Sequence, residues 1–376
     1  MLSFHPRIDF PEIPMNILIL AGSNSSFNQL RPEFEMFIGF RERGHNITIV
    51  IAPDSVYVPR LKELGIKLLH CYPTRKICLK TIKALRLEMR KTHYDIVYAT
   101  TSKTIPNGAF AAIGSAAKLV AYRGTTGGAY WYDPTNYLTI FNPKAEAVVC
   151  VSEAVRQYLL PKFINRKTRL ITIHKGHDIA WYGKSPADLA EFGITNQDFP
   201  VACVANARPH KGVRYLLEAA KEFSHISNIH ILLVGQGIQT EPYTSLIAES
   251  NMADRIHITG FRHDAPELIA ACKVLVLPSV REGLSRVVLE SMGYGVPPIV
   301  TDSGGPAEEV EDGKDGYIVP IQDPEAIAEK VITLYENPEI IKSMSIECRR
   351  KIENEFSIQV SIDKYIRFFE DLLANN

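Results

Sequence analysis

Residues 278–297 read PSVREGLSRVVLESMGYGVP and follow the apolar run Val274-Leu275-Val276-Leu277. A run of that length and composition is a buried strand, and Pro278 ends it. Apolar residues then recur at helical spacing, which predicts an amphipathic helix opening near Gly283 or Leu284. Glu282 therefore sits where a strand gives way to a helix. Glu290 follows two turns later, roughly 10–12 Å along the axis at 1.5 Å per residue. The N–H groups of Gly283, Leu284, Ser285 and Arg286 would lack helical partners and lie at the positive end of the helix dipole. A diphosphate suits that position, and carboxylates at either end accept hydrogen bonds from sugar hydroxyls. The competing reading is an ordinary helix with surface glutamates, since two glutamates eight apart often arise by chance.

The strand–helix pattern extends outward from this stretch. In the second half, Val201–Ala205, His230–Val234, Ile256–Thr259, Val274–Leu277 and Val296–Thr301 read as strands, and Val213–Phe223 as a helix. In the first half, Met15–Leu20, Ile47–Ile51, Ile66–Leu69, Ile96–Tyr98, Lys118–Tyr122 and Ala147–Val151 read as strands, with a helix over Phe34–Arg43. Alternating strands and helices predict parallel sheets covered on both faces, here two successive doubly wound α/β units with a seam near Ile171–Gly176. Ligands bind such sheets at the carboxyl ends of the strands, so a cleft between two facing units is the expected site.

With 376 residues the chain is too long for one ordinary core. No apolar run approaches the roughly 18 residues of a membrane span, and MLSFHPRIDFPEIP has no signal-like apolar core. Six cysteines without a C-x-x-C pair argue against a thiolate zinc site or a disulfide framework, so a cytoplasmic chain is expected. The zero net charge hides an asymmetry. Residues 1–175 hold 24 basic and 12 acidic groups, and residues 176–376 hold 18 and 30. The basic half is expected to meet something anionic. Much of its excess lies in 75–91, with Arg75, Lys76, Lys80, Lys83, Arg86, Arg90 and Lys91 against Glu88. That segment is either a solvated helix on a sheet or an interfacial helix on an anionic membrane leaflet.

The Glu282 and Glu290 stretch resembles the E-x7-E motif of retaining glycosyltransferases, in particular glycosyltransferase family 4. Other segments are similar to the family in the same order: Ala207-Arg208-Pro209-His210-Lys211-Gly212, Leu233-Val234-Gly235-Gln236-Gly237, His257–Phe261, Ser303–Glu308 and Gly316–Val319. The first half matches weakly, at Gly22, at Arg43-Gly44-His45 and at Val151–Val155. The resemblance implies the GT-B architecture: two Rossmann-like domains, 1–174 for the acceptor and 175–355 for the nucleotide-sugar, with a helix in 356–376 returning to the first. It implies Glu282 on the donor sugar, Glu290 on the ribose and Lys211 on the diphosphate. Two departures stand out. Asn206 occupies the family's usual arginine position, so either Arg208 substitutes or Asn206 contacts the nucleotide. No histidine follows the strand before Arg123-Gly124-Thr125-Thr126. Arg123, Thr125, Thr126 and Arg31 are candidates to face the acceptor, and Gly22 to meet the donor phosphates.

The expected function is retaining transfer of a sugar from a nucleotide-diphosphate sugar to a hydroxyl of a glycan or lipid-linked acceptor. The resemblance is to bacterial lipopolysaccharide and surface-polysaccharide enzymes. Same-face substitution is what the resemblance implies. With no Asp-x-Asp at a strand end, no metal is expected, and no cofactor beyond the donor. The spaced pair His174 and His177 is a weak metal candidate. The rivals are a nucleotide-sugar epimerase on the same fold and a non-catalytic nucleotide-sugar-binding subunit. Nucleic acid is not an expected partner, because the second half is acidic and carries no recognisable module. Attachment to the inner face of the cytoplasmic membrane through 75–91 is a further expectation.

Overall fold

The computed structural model describes residues 13–22, 26–163, 167–183 and 185–374. The reading made on 1–12, and the loop at the donor phosphates expected over Ser23-Asn24-Ser25, fall outside these residues. The chain divides into two compact units, Met1–Gly176 with Ile358–Asn376, and His177–Ser357.

In the first unit, β1 (Asn16–Leu20), β2 (Asn46–Val50), β3 (Lys67–Leu69), β4 (Ile96–Ala99), β5 (Lys118–Arg123), β6 (Ala145–Cys150) and β7 (Arg169–Thr172) form one sheet, ordered β3-β2-β1-β4-β5-β6-β7. Every ladder is parallel, with Ile17 opposite both Ile47 and Ile96. Ile17 to Leu20 are fully buried, as strands covered on both faces must be. The second unit repeats the plan. Its strands are β8 (Phe199–Val204), β9 (Ile229–Val234), β10 (Ile256–Gly260), β11 (Val274–Leu277), β12 (Pro298–Thr301) and β13 (Tyr317–Val319), ordered β10-β9-β8-β11-β12-β13. Apolar clusters cover its two faces, one around Val201, Leu217, Ile231 and Val331, the other around Leu232, Leu275, Leu289 and Ile352. Two Rossmann-like parallel sheets of seven and six strands constitute the GT-B fold.

The final helix, Ile358–Ala374, packs against the helix Phe27–Glu42 of the first unit. Phe40, Tyr98, Tyr365 and Phe369 meet at centroid separations of 5.6–6.0 Å. The Tyr98 and Tyr365 hydroxyls share a buried hydrogen bond of 2.9 Å. Gly39 sits against Ile362, where a Cβ would stand 2.1 Å from its Cδ1. Arg43 pairs with Asp363 at the end of this contact.

Some elements differ from expectation. The first helix begins at Phe27 rather than Phe34 and runs through Pro32. The helix after β8 is shorter than read, Val213–Ala219. The stretch taken as the seam begins inside strand β7, overlapping its last two residues, and β13 closes the second sheet. Basic segment 75–91 forms the helix Leu79–Lys91, which buries Thr81, Ile82 and Leu85 and leaves Leu79 and Leu87 exposed.

Candidate active site

Three loops at the carboxyl ends of β8, β11 and β12 build the site, all within the second unit. The loop after β8 carries Asn206, Arg208, His210 and Lys211. It ends in a short 3-10 turn (Pro209–Lys211) closed by Gly212 at φ +66°. A Cβ on Gly212 would lie 1.8 Å from the Pro278 carbonyl oxygen, so only glycine lets this loop rest on the end of β11. The His210 carbonyl accepts the Val280 N–H at 2.8 Å, tying the two loops together. The consequence is an ion pair between Lys211 Nζ and Glu282 Oε2, with both side chains partly buried at 25% and 16% exposure. An ammonium and a carboxylate 71 residues apart in sequence thus meet at one point. Burial, with Lys211 as the second cause, holds the His210 imidazole below its ordinary pKa.

The third loop fixes Glu282 from the other side. Glu282 donates its N–H to the Ser303 carbonyl at 3.0 Å and forms an isolated parallel bridge with Gly304. A Cβ on Gly305 would fall 1.6 Å from the Gly283 carbonyl oxygen, so backbone presses on backbone here. The helix itself opens later than expected, at Arg286, with Ser285 as its N-cap; the Ser285 side chain accepts the Val288 N–H.

This corrects one expectation about the anion site. The Ser285 N–H is already occupied, donating to Glu309 Oε1 at 2.9 Å. The N–H groups of Gly283 and Leu284 have no partner among the described residues. Glu309 is a residue that sequence reasoning passed over. It is fully buried, and burial raises its carboxyl well above the ordinary range. Its Oε2 has no hydrogen-bond partner among the described residues, and neither do the buried Ser279 and Ser303 hydroxyls. A signal was present: Gly305 and Glu309 are four apart, so a helix puts both on the face that meets the Glu282 loop.

Glu290 lies inward, 6% exposed, within 3.3 Å of Arg286 Nη1. Burial raises its pKa and Arg286 opposes that rise. Asn206 is exposed, and its Oδ1 accepts the Gln236 N–H at 2.9 Å, joining the β8 loop to the glycine turn after β9. Arg208 is exposed; its backbone N–H donates to the Asn206 carbonyl at 2.7 Å.

The acceptor candidates lie in the first unit. Arg123 is spent on the turn beyond it, donating to the Thr125 carbonyl at 2.9 Å and to the Gly127 carbonyl. Thr125 is exposed, and Thr126 Oγ1 is buried with no hydrogen-bond partner among the described residues. Arg31 stacks over Phe27 at 5.6 Å. Gly22 lies just beyond β1 and donates its N–H to Thr100 Oγ1 at 3.2 Å. His177 is buried and shares a hydrogen bond with the Tyr182 hydroxyl. Among the described residues no three His, Cys, Asp or Glu side chains are grouped to hold a metal ion. No described helix is long and apolar enough to cross a membrane.

This geometry can be set beside known proteins. Residues 34–181 match the family model described as Glycosyltransferase Family 4, and residues 185–351 match Glycosyl transferases group 1. The chain is 25% identical over 315 residues to the Escherichia coli UDP-Gal:alpha-D-GlcNAc-diphosphoundecaprenol alpha-1,3-galactosyltransferase, covering 79% of this chain and 80% of that one. It is 26% identical over 186 residues to the Bacillus anthracis N-acetyl-alpha-D-glucosaminyl L-malate synthase, spanning about half of each chain at 50% and 49%. Among solved structures, Anabaena Alr3699/HepE in complex with UDP superposes with a TM-score of 0.79 at 21% identity, over 95% of this chain and 100% of that one. Sucrose-phosphate synthase of Thermosynechococcus elongatus gives 0.75 at 16% identity, over 96% of this chain and 100% of that one. Both share the fold described above. With its two halves matching the two models in order, the chain belongs to glycosyltransferase family 4.

Proposed function

We propose that the protein is a retaining, metal-independent glycosyltransferase. It moves a sugar from a uridine-diphosphate sugar to a hydroxyl of a glycan carried on a polyprenyl diphosphate, in surface-polysaccharide synthesis. The observation that carries this reading is the Lys211–Glu282 pair beside the unpartnered N–H groups of Gly283 and Leu284. The donor preference draws support from the Anabaena protein solved with UDP, and the acceptor from the Escherichia coli relative.

The residues divide the work by charge. Lys211 and the two N–H groups face the diphosphate and stabilise the negative charge that grows on it as it leaves. Glu282 holds Lys211 in place while the site is empty and turns to the donor sugar hydroxyls when it fills. Glu290, fixed by Arg286, takes the ribose. The C1–O bond to the diphosphate breaks, and a C1–O bond to the acceptor forms on the same face. The acceptor proton goes to a diphosphate oxygen. A metal has no necessary part, because ammonium and amide dipoles supply the positive charge. Cytoplasmic placement follows from the donor, and exposed Leu79 and Leu87 with the cations of their helix support attachment to an anionic leaflet.

The test is UDP release from UDP-sugars with a polyprenyl-diphosphate-linked sugar as acceptor. Wild type is expected to release UDP and Glu282→Ala to lose release while keeping its fold. Donor binding without release under any acceptor would make the protein a binding subunit and overturn the reading.

A further inference from the structure

A buried acid stands behind the loop that carries Glu282, and the transfer chemistry described above gives it no task. Glu309 is the last residue of the short helix Gly305–Glu309 that follows β12, and it is fully buried. Its Oε1 accepts the Ser285 N–H at 2.9 Å, and its Oε2 has no hydrogen-bond partner among the described residues. Enclosed in this way it cannot reach a ligand, so it acts through the backbone that it grips.

The grip completes a frame. From Glu282 to Ser285 the chain is held at both ends by the segment after β12. The Glu282 N–H donates to the Ser303 carbonyl at 3.0 Å, and the Ser285 N–H donates to Glu309. Between these anchors Gly305 lies against the backbone, where a Cβ would fall 1.6 Å from the Gly283 oxygen and 2.9 Å from the Leu284 Cα. The N–H groups of Gly283 and Leu284, without partners among the described residues, lie inside the frame. Ser285 also caps the helix Arg286–Tyr294, which carries Glu290. One carboxyl therefore fixes where the free donors end and where the helix begins. Donors held in place before the ligand arrives bind an anion without the cost of being ordered by it. The charge state matters too. Glu282, from the loop after β11, and Glu308, from the same short helix, are like charges near Glu309. Lys351, from the helix Pro338–Asn354, opposes them and is itself paired with Asp315 at 3.2 Å. Burial above all, with the two glutamates, raises the Glu309 pKa. A neutral carboxyl holds the Ser285 N–H without adding a negative charge beside an incoming diphosphate.

We propose that Glu309 is a positioning residue of the donor site: by holding the Ser285 N–H it keeps the Gly283 and Leu284 N–H groups set for the diphosphate of the donor. This rests on the donor chemistry proposed above. The effect falls on the diphosphate and not on the nucleoside, which meets other residues.

The test uses the full chain with UDP and uridine as probes, read by titration calorimetry on wild type, Glu309→Gln and Glu309→Leu. Glutamine keeps a neutral acceptor for the Ser285 N–H, whereas leucine fills a similar space and leaves a buried N–H without one. The Kd for UDP is expected to rise at least tenfold in Glu309→Leu and to stay within about threefold of wild type in Glu309→Gln. Uridine affinity is expected to stay within about twofold in both, since the frame serves the phosphates. In transfer assays the donor KM should rise in Glu309→Leu with the acceptor KM unchanged. UDP bound equally by wild type and Glu309→Leu, or UDP and uridine weakened alike, makes Glu309 a structural group only and overturns the proposal. A loss of UDP binding in Glu309→Gln as large as in Glu309→Leu overturns it too, because the acceptor atom is then not what matters. A second measurement needs no variant and decides the matter should Glu309→Leu fail to fold. Amide exchange followed by NMR on wild type should find the Ser285 N–H protected without UDP, and those of Gly283 and Leu284 protected only with it. A Ser285 N–H that exchanges as fast as that of Leu284 without UDP overturns the proposal. Wild type that binds neither UDP nor a UDP-sugar refutes the function reading, and this inference with it.

Discussion

Replacing Gly212 by alanine tests how Lys211 is placed. Two costs follow. Alanine at φ +66° costs roughly 1–2 kcal/mol in the left-handed region. The new Cβ would also stand 1.8 Å from the Pro278 oxygen, whereas real Cβ contacts hardly occur below 3.0 Å, so the β8 and β11 loops must part by about 1.2 Å. Gly193 separates the two costs. It has φ +70° in the same unit, and a Cβ there would meet nothing within 4 Å. Gly193→Ala should therefore lose only the conformational part, on the order of 1–2 kcal/mol, a fall of a few degrees in Tm, with turnover unchanged. Gly212→Ala should lose more stability. Its turnover should also fall on the order of 10²-fold, the usual consequence of a displacement near 1 Å at a reacting centre. Denaturant unfolding and UDP release measured on both variants check this. Equal stability and equal turnover in the two variants would refute the close-approach reasoning.

Lys211→Ala should lower kcat by roughly 10²-fold or more, as loss of a charge-stabilising donor does; an unchanged kcat would leave it a structural partner of Glu282. Glu309→Gln tests a buried neutral carboxyl. Because burial raises the folded-state pKa, both states are protonated below about 4.3, and above that only the unfolded state ionises. Wild-type stability should therefore fall as pH rises above about 4.3, with a slope of up to about 1.4 kcal/mol per pH unit from this group, until the folded carboxyl itself ionises. The glutamine variant should gain on wild type over that range in denaturant unfolding, and a pH-independent difference would contradict it. Vesicle binding through the basic helix Leu79–Lys91 should require anionic lipid and weaken with salt; binding indifferent to both would leave that helix a solvated one. Turnover should survive a chelator such as EDTA, and its loss would restore a role for metal.

The sheets were legible because buried parallel strands are short, apolar and bounded by turn residues, as in Ile17–Leu20 and Val274–Leu277. Elements defined by tertiary packing were not. Strand β7 is only partly buried and flanked by charges, and β13 has three residues. The apolar spacing marked only Phe34–Arg43, whereas the helix starts at Phe27 and runs through Pro32. Within the candidate site, local spacing gave Glu282 its place at a strand end, and the family resemblance pointed to Lys211. Their meeting depends on Gly212 against Pro278 and on His210 against Val280, contacts some seventy residues apart. Residue spacing likewise said nothing of the Glu309 grip on Ser285, which moves the helix start to Arg286 and occupies one of the expected donors.

The most direct measurement is a crystal structure of the protein with an unhydrolysed UDP-sugar. The account predicts the diphosphate within hydrogen-bonding distance of Lys211 Nζ and the Gly283 and Leu284 N–H groups, with Glu282 released from Lys211 onto the sugar hydroxyls. A diphosphate bound away from Lys211, or a Lys211–Glu282 pair left intact beside a bound donor, would contradict it.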